Sequence, residues 1–230
     1  MSKVAWIIFG SLIVVVFGGL IAYSHFANPP INVGSVDASK VIAASEQTGT
    51  IADHVFGKVD SKVVLIEYGD FQCPSCGSAH PQIKAVTEEY TDKIAFIFRN
   101  FPLTTIHPNA RAASATVEAA GLQGKYWEMH NLVYESQADW KDLTGTARTD
   151  KFSSYADSLN LNKDQFLKDT AGSKVNKKIS FDQALGKKIN VNATPSFYLN
   201  GEKLPDAIAT AIVQGSTTEL KALLDQKLTN

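Results

Sequence analysis

The longest uninterrupted apolar stretch stands at the start of the chain. From Val4 to Tyr23 it reads VAWIIFGSLIVVVFGGLIAY, without a charge. As a helix, such a run spans roughly 30 Å at about 1.5 Å per residue, the thickness of a bilayer's hydrocarbon core. A cleaved secretory signal is the alternative, with Ala22 and Ser24 as a small-x-small pair. A signal core is shorter, however, typically about 7 to 15 residues, so a retained transmembrane helix is expected. Lys3 flanks the inner end and no further Lys or Arg occurs before Lys40. The positive-inside rule therefore leaves the N-terminus in the cytoplasm and places everything after residue 24 outside the cell membrane. Either reading delivers the remainder to an extracytoplasmic space where disulfides persist. The organisation expected is an anchor with a short cytoplasmic end over 1–27, a linker over 28–50 and a folded domain over 51–230.

The linker contains Pro29, Pro30 and Gly34 and no sustained period beyond one short helix around Ala38 to Ala44, which suits a spacer. Beyond it, Val63-Val64-Leu65-Ile66 followed by Glu67-Tyr68 opens as a continuous β-branched apolar run, the mark of a strand covered on both faces, and Ile94 to Phe98 is a second. Between them Ala79, Ile83, Val86 and Tyr90 recur at helical spacing, so a helix starts near Cys73. Strand, helix, strand in this order predicts a right-handed parallel crossover, with Pro81 kinking the helix. The strand alternation then stops. Over about 104–190 the stretches Ala110–Ala120, Tyr126–Tyr134, Lys151–Leu159, Lys163–Lys168 and Lys174–Leu185 read as helices inserted between two halves of a sheet. Ser196-Phe197-Tyr198-Leu199 restores β structure, and Asn200-Gly201 predicts a two-residue hairpin into a short strand near Lys203. A closing helix carries Leu220, Leu223, Leu224 and Leu228 on one face, with Ser216 and Glu219 spaced as a capping box.

Composition changes this picture little. The 230 residues are 44% hydrophobic and 20% charged, ordinary for a globular domain with an appendage. With 22 Lys+Arg against 23 Asp+Glu there is no basic stripe with interleaved aromatics, so nucleic acid is excluded as a partner. Trp127 and Met129 fall on an amphipathic helix and read as core.

The candidate chemistry lies in the two cysteines, which stand as Cys73-Pro74-Ser75-Cys76 between a buried strand and the mouth of a helix. Helix-start amides lack internal partners and the macrodipole adds positive potential, so a thiolate at Cys73 is stabilised. Cys76, one turn inward, is expected to be more buried and to stay a thiol. The pair suits thiol–disulfide exchange: a substrate thiolate attacks Cys73 of the oxidised pair, or Cys73 attacks a substrate disulfide and Cys76 resolves it. Pro74 pre-sets φ where its missing donor costs nothing. A purely structural disulfide closing so short a loop would stabilise weakly. A metal site from Cys73, Cys76 and His80, completed by His54 or His107, is the rival from another class, and a single CxxC lacks the usual second ligand pair. His80 otherwise reads as a surface histidine, His107 and His130 as structural ones, and Asp70 as a turn acid.

The stretch Glu67-Tyr68-Gly69-Asp70-Phe71-Gln72-Cys73-Pro74-Ser75-Cys76, Pro81 in the following helix, Ala193-Thr194-Pro195 before a late strand, and the helices at His107-Pro108-Asn109-Ala110-Arg111 and Gly124-Lys125-Tyr126-Trp127-Glu128-Met129-His130 together resemble the DsbA-like branch of the thioredoxin superfamily. The resemblance runs from about Ile51 to the C-terminus and implies a thioredoxin-like α/β fold with an inserted helical domain. It implies a cis Thr194-Pro195 bond against the cysteines, with Thr194 and Pro195 contacting extended substrate, where a trans proline opening an edge strand is the alternative. It also implies that Glu67 is a buried acid that exchanges protons with Cys76, against a solvated strand end. Ser75 departs from the strongly oxidising members, which carry His there. No cofactor or prosthetic group is required. The partners implied are reduced exported proteins as substrates and a membrane, quinone-linked reoxidant of DsbB-like or VKOR-like kind. The chain is expected to act as a monomer, as an oxidase or alternatively a reductase or isomerase.

Overall fold

The computed structural model describes Trp6, residues 9–19 and residues 31–229. Of the apolar N-terminal run, Trp6 and residues 9–19 are helical, with Phe9, Leu12, Val14, Val15 and Phe17 exposed. The rest of the expected span lies outside the described residues, and among the described residues no helix is long and apolar enough to cross a membrane. Residues from Val33 onward form a separate compact unit.

That unit is built on a five-stranded mixed sheet of β1 (Val55–Gly57), β2 (Val64–Gly69), β3 (Ala95–Asn100), β4 (Ser196–Leu199) and β5 (Glu202–Lys203), in the order β1-β3-β2-β4-β5. Helix α1 (Pro74–Glu89) links β2 to β3, which run parallel with Glu67 opposite Phe98, as the strand-helix-strand order predicts. The neighbouring pairs are antiparallel. Both central strands are buried throughout because each sheet face is covered. Alternation sends Leu65 and Glu67 to one face with Phe96, Phe98 and Phe197, and Val64, Ile66 and Tyr68 to the other with Ile97 and Phe101. The α1 stripe of Ala79, Ile83, Val86 and Tyr90 is buried on the first face, and the helix continues through Pro81.

Between β3 and β4 come α2 (Ala110–Gly121), α3 (Tyr126–Glu135), α4 (Gln137–Trp140), α5 (Gly145–Ser158), α6 (Lys163–Thr170) and α7 (Ser173–Lys188). Helix α5 starts six residues before the expected Lys151, since its first turns carry few apolar positions. The Asn200-Gly201 hairpin forms with φ of 50° and 86°, left-handed at both positions as a tight primed turn demands. Helices α8 (Asp206–Val213) and α9 (Thr218–Thr229) close the chain, α8 packing on α1. The Ser216–Glu219 capping box does not form. Ser216 is consumed by the end of α8, where its amide reaches back to the Ala211 carbonyl past Gly215 at φ 96°. Helix α9 begins one residue later, with the Thr217 carbonyl taking its first bond from Lys221.

The segment expected to be a spacer is instead docked, and no helix forms over 38–44. Buried Arg99 donates to the carbonyls of Ala38 and Lys40, both at 2.6 Å, and to Asp53 at 2.7 Å. Asp53 also accepts from the Ile42 amide and from Lys178, and Lys178 bonds Asp182. A guanidinium taken out of water needs acceptors in several directions, and the backbone of residues 38–40 supplies two of them.

Candidate functional site

The site forms where β2 ends. Asp70, fully buried, accepts from the amides of Gln72 and Leu103 and pairs with Nδ1 of His107, all at 2.8 Å, which turns the chain into α1. Both residues are structural here, as the sequence suggested. Two further side chains, missed in the sequence, fasten the loop. Gln137 donates to the carbonyls of Phe71 and Cys73. Gln72 donates to the Lys141 carbonyl and accepts from the Asn109 amide, tying the loop to the helical insertion. Amide side chains at such separations carry no periodic signal. A composition-neutral Gln just after a helix end is the only hint.

Cys73 is the N-cap of α1, Pro74 is its first residue, and Pro74 and Ser75 are exposed at the tip. Both cysteines are free thiols. Cys73 is 6% exposed, less open than its position in the sequence suggested, and Cys76 is fully buried. Cys73 ionises well below an ordinary thiol, at about 5. The hydrogen bond from the Cys76 thiol contributes most; burial opposes it, and Thr194 and the Cys76 and Ser75 amides add to the lowering. Cys76 is driven the other way, well above 9.0, by burial first and then by its thiol bond and charge contact with Cys73. The asymmetry expected from helix-terminus amides is present, but the partner thiol outweighs the amides.

Thr194-Pro195 is cis and lies against the thiol: the Cys73 sulfhydryl donates to the Thr194 carbonyl at 3.4 Å. The Thr194 hydroxyl is buried without a hydrogen-bond partner, and Thr194 favours the Cys73 anion. Glu67 is 3% exposed on the α1 side of the sheet, not a solvated strand end. Burial, and then the Cys73 charge, raise its pKa to about 8.

His80 is corrected from a surface residue to a buried one, 6% exposed, stacked on Tyr134. Burial pushes its pKa to about 4, so it lends the cysteines no charge at neutral pH. It lies one turn after Cys76 and faces inward because the helix presents positions 76, 79, 80 and 83 to the core. The rival metal set is not assembled: His54 pairs with Glu118 and His107 with Asp70, and among the described residues no three metal-ligating side chains cluster. His130 is buried among the rings of Phe71, Phe98 and Trp127, and Met129 is core.

Residues 49–223 match the family model described as Thioredoxin. Among solved structures, the chain is similar to oxidised BdbD from Bacillus subtilis, with TM-score 0.66 and 20% identity over 83% of this chain and 100% of that one. It is also similar to alpha-DsbA1 from Wolbachia pipientis, with TM-score 0.58 and 22% identity over 73% and 94%. These likenesses establish the fold. A curated relative from Salinispora arenicola, named Na(+)/H(+) antiporter NhaA 1, is 37% identical over 153 residues, which are 66% of this chain and 22% of that protein. The chain spans between about a fifth and a third of the length of such relatives.

Proposed function

The chain belongs to the thioredoxin family, and from that premise we propose that it is an extracytoplasmic thiol:disulfide oxidoreductase donating disulfides to exported proteins through Cys73 and Cys76. The observation that carries this reading is the split between the two sulfurs, one anionic at neutral pH and one buried and neutral. Exchange needs both: a good leaving and attacking group at the substrate face, and a resolving thiol kept out of competition. In the oxidising direction a client thiolate attacks Cys73, the bond to Cys76 breaks, and Cys76 leaves with the electron pair and gains a proton. A second client thiolate then attacks the client sulfur, expelling Cys73 as a thiolate. The carbonyl and amide at Thr194 offer an extended client segment a strand-like edge, and Pro195 removes a competing donor beside it.

The low pKa of Cys73 supports the oxidising direction. Holding Cys73 well below an ordinary thiol stabilises the reduced form at neutral pH. A stabilised dithiol makes its disulfide the stronger oxidant. Ser75, which adds no charge, withholds any further push. A redox titration against glutathione tests this: a potential in the region of about −120 to −180 mV agrees, and one near about −270 mV makes the protein a reductase.

Reoxidation requires a membrane quinone-linked partner of DsbB-like or VKOR-like kind. The uncharged Val4–Tyr23 run supports a single-pass anchor with the N-terminus cytoplasmic, and the antiporter-named relatives support a membrane setting.

Glu67 serves as the proton store for Cys76. Its pKa is raised in the fold, so it contributes most favourably below the unfolded value near 4.5 and costs stability as pH climbs towards 8. Glu67→Gln is therefore expected to raise stability at pH 7 by about 3 kcal/mol while slowing disulfide exchange, measured by denaturant unfolding and insulin reduction on the same preparation. A variant that is neither more stable nor slower denies Glu67 this role.

A further inference from the structure

Cys76 and Glu67 are both shut away from water, at 0% and 3% exposure. A buried acid that has taken one proton must pass it to solvent before it can act again, and none of the groups described so far provides that passage. One wall beside them is made of polar atoms left without partners. Nε2 of His80, Nε2 of His130 and the hydroxyl of Tyr134 are buried and make no hydrogen bond. Their rings form one cluster, His80 stacking on Tyr134 at 4.9 Å with His130 at 5.4 Å and 5.2 Å from them. Each unsatisfied buried polar group costs about 1–3 kcal/mol, and phenylalanine would fill such space without that cost.

The cluster has an inner and an outer end. Inward, His80 follows Cys76 by one helical turn, and Tyr134 is close enough to feel the charges of Cys76 and Glu67. Outward, His80 and His130 line a small, partly open pocket of about 20 Å³, room for one water. His80 and Tyr134 also border an open groove of about 470 Å³ with Lys84, Glu88 and Glu135 at its rim. The Glu135 carboxylate stands 4.0 Å from His80 Nε2.

We propose that Tyr134 and His80 conduct the proton of Cys76 between the buried thiol–carboxyl pair and solvent in the groove at Lys84 and Glu135. The proposal rests on the thiol-exchange reading above. When Cys76 resolves a mixed disulfide, its proton passes by way of Glu67 and Tyr134 to one nitrogen of His80, and the other nitrogen releases a proton to water. The Cys76 sulfur bonds to Cys73, the Cys73–client bond breaks, and the client leaves as a thiolate with the electron pair. In the oxidising direction the same chain delivers a proton to the departing Cys76. A neutral imidazole suits this task because it presents one acceptor and one donor nitrogen. His80 stays neutral through the working pH range: burial and the Lys84 charge hold its pKa down, Glu88 pulls weakly upward, and α3 faces it with Glu135, Tyr134 and His130.

The test uses the full-length reduced protein and the aromatic disulfide dithiobis(nitrobenzoate), which releases one coloured thiolate when Cys73 attacks and a second when Cys76 resolves. Tyr134→Phe and His80→Phe are expected to slow the second release about tenfold at pH 7, below the factor of direct proton transfer because water leaks in, and to leave the first unchanged. The wild-type second release should slow in deuterium oxide by more than the variants do. Slowing in either variant with its first release intact supports the relay. Wild-type second release and isotope effect in both variants overturn it. Tyr134→Phe removes only an unpartnered oxygen, so it reads out even where His80→Phe fails to fold. A wild-type protein that completes both releases but never oxidises a reduced client refutes the oxidase reading separately.

Discussion

Cys73→Ser is expected to abolish disulfide transfer to a reduced client, a fall on the order of 10³-fold or more, whereas Cys76→Ser is expected to trap clients covalently. At pH 7 a thiol ionising at about 5 is roughly 99% thiolate, and a serine hydroxyl at the same place is neutral. The amides and Thr194 gathered around the sulfur then have no anion to stabilise. Without Cys76, Cys73 still attacks a client disulfide and expels one client thiolate, but nothing inside the protein resolves the mixed disulfide that forms. Non-reducing gels of the two variants incubated with exported proteins make the comparison. Adducts with Cys76→Ser and none with Cys73→Ser match the mechanism; a metal carrier gives adducts with neither.

The largest effect on stability is expected at Asp53. Its carboxylate sits between Arg99 and Lys178, fully buried; burial alone would raise its pKa, but the two cations hold it far below the usual range. Asp53→Ala leaves Arg99 in the interior without a carboxylate and Lys178 with Asp182 alone, a change expected to cost about 3–5 kcal/mol. It also frees residues 38–42, which Arg99 and Asp53 hold through Ala38, Lys40 and Ile42. Chemical denaturation measures the first consequence and limited proteolysis within 38–48 the second. Because the folded-state pKa is depressed, the contribution is full above the unfolded aspartate value and fades as pH falls below about 4. A variant within about 0.5 kcal/mol of wild type, uncut in that segment, would mean that the network does not hold the docked strap.

How much of this could be read in the sequence depends on the range of the interaction. Val64–Gly69, Ala95–Asn100 and α1 were legible because burial on two faces and a helical stripe are local patterns. Cys73 and Cys76 were legible as a candidate pair because they stand within four consecutive residues, and the cis bond at Thr194-Pro195 only through resemblance. The strap over 33–50 was not, since its small, Gly-, Ser- and Ala-rich composition without a sustained period is that of a linker and its anchor is an arginine some sixty residues away. Asp53 and Lys178 are 125 positions apart, and neither breaks a local pattern. His80 was misread because a histidine beside lysine and glutamate on a helix looks solvated until α3 covers it. Ser216 fitted a start signal and served as a stop, since the preceding helix α8 had gone unrecognised.

The alkylation rate of the reduced wild-type protein as a function of pH bears most directly on the account. Cys76 is buried and neutral, so iodoacetamide reports on Cys73 alone. The rate should reach half its plateau near pH 5 and stay flat through neutrality. A midpoint at pH 8 to 9, as for a free cysteine, would contradict it.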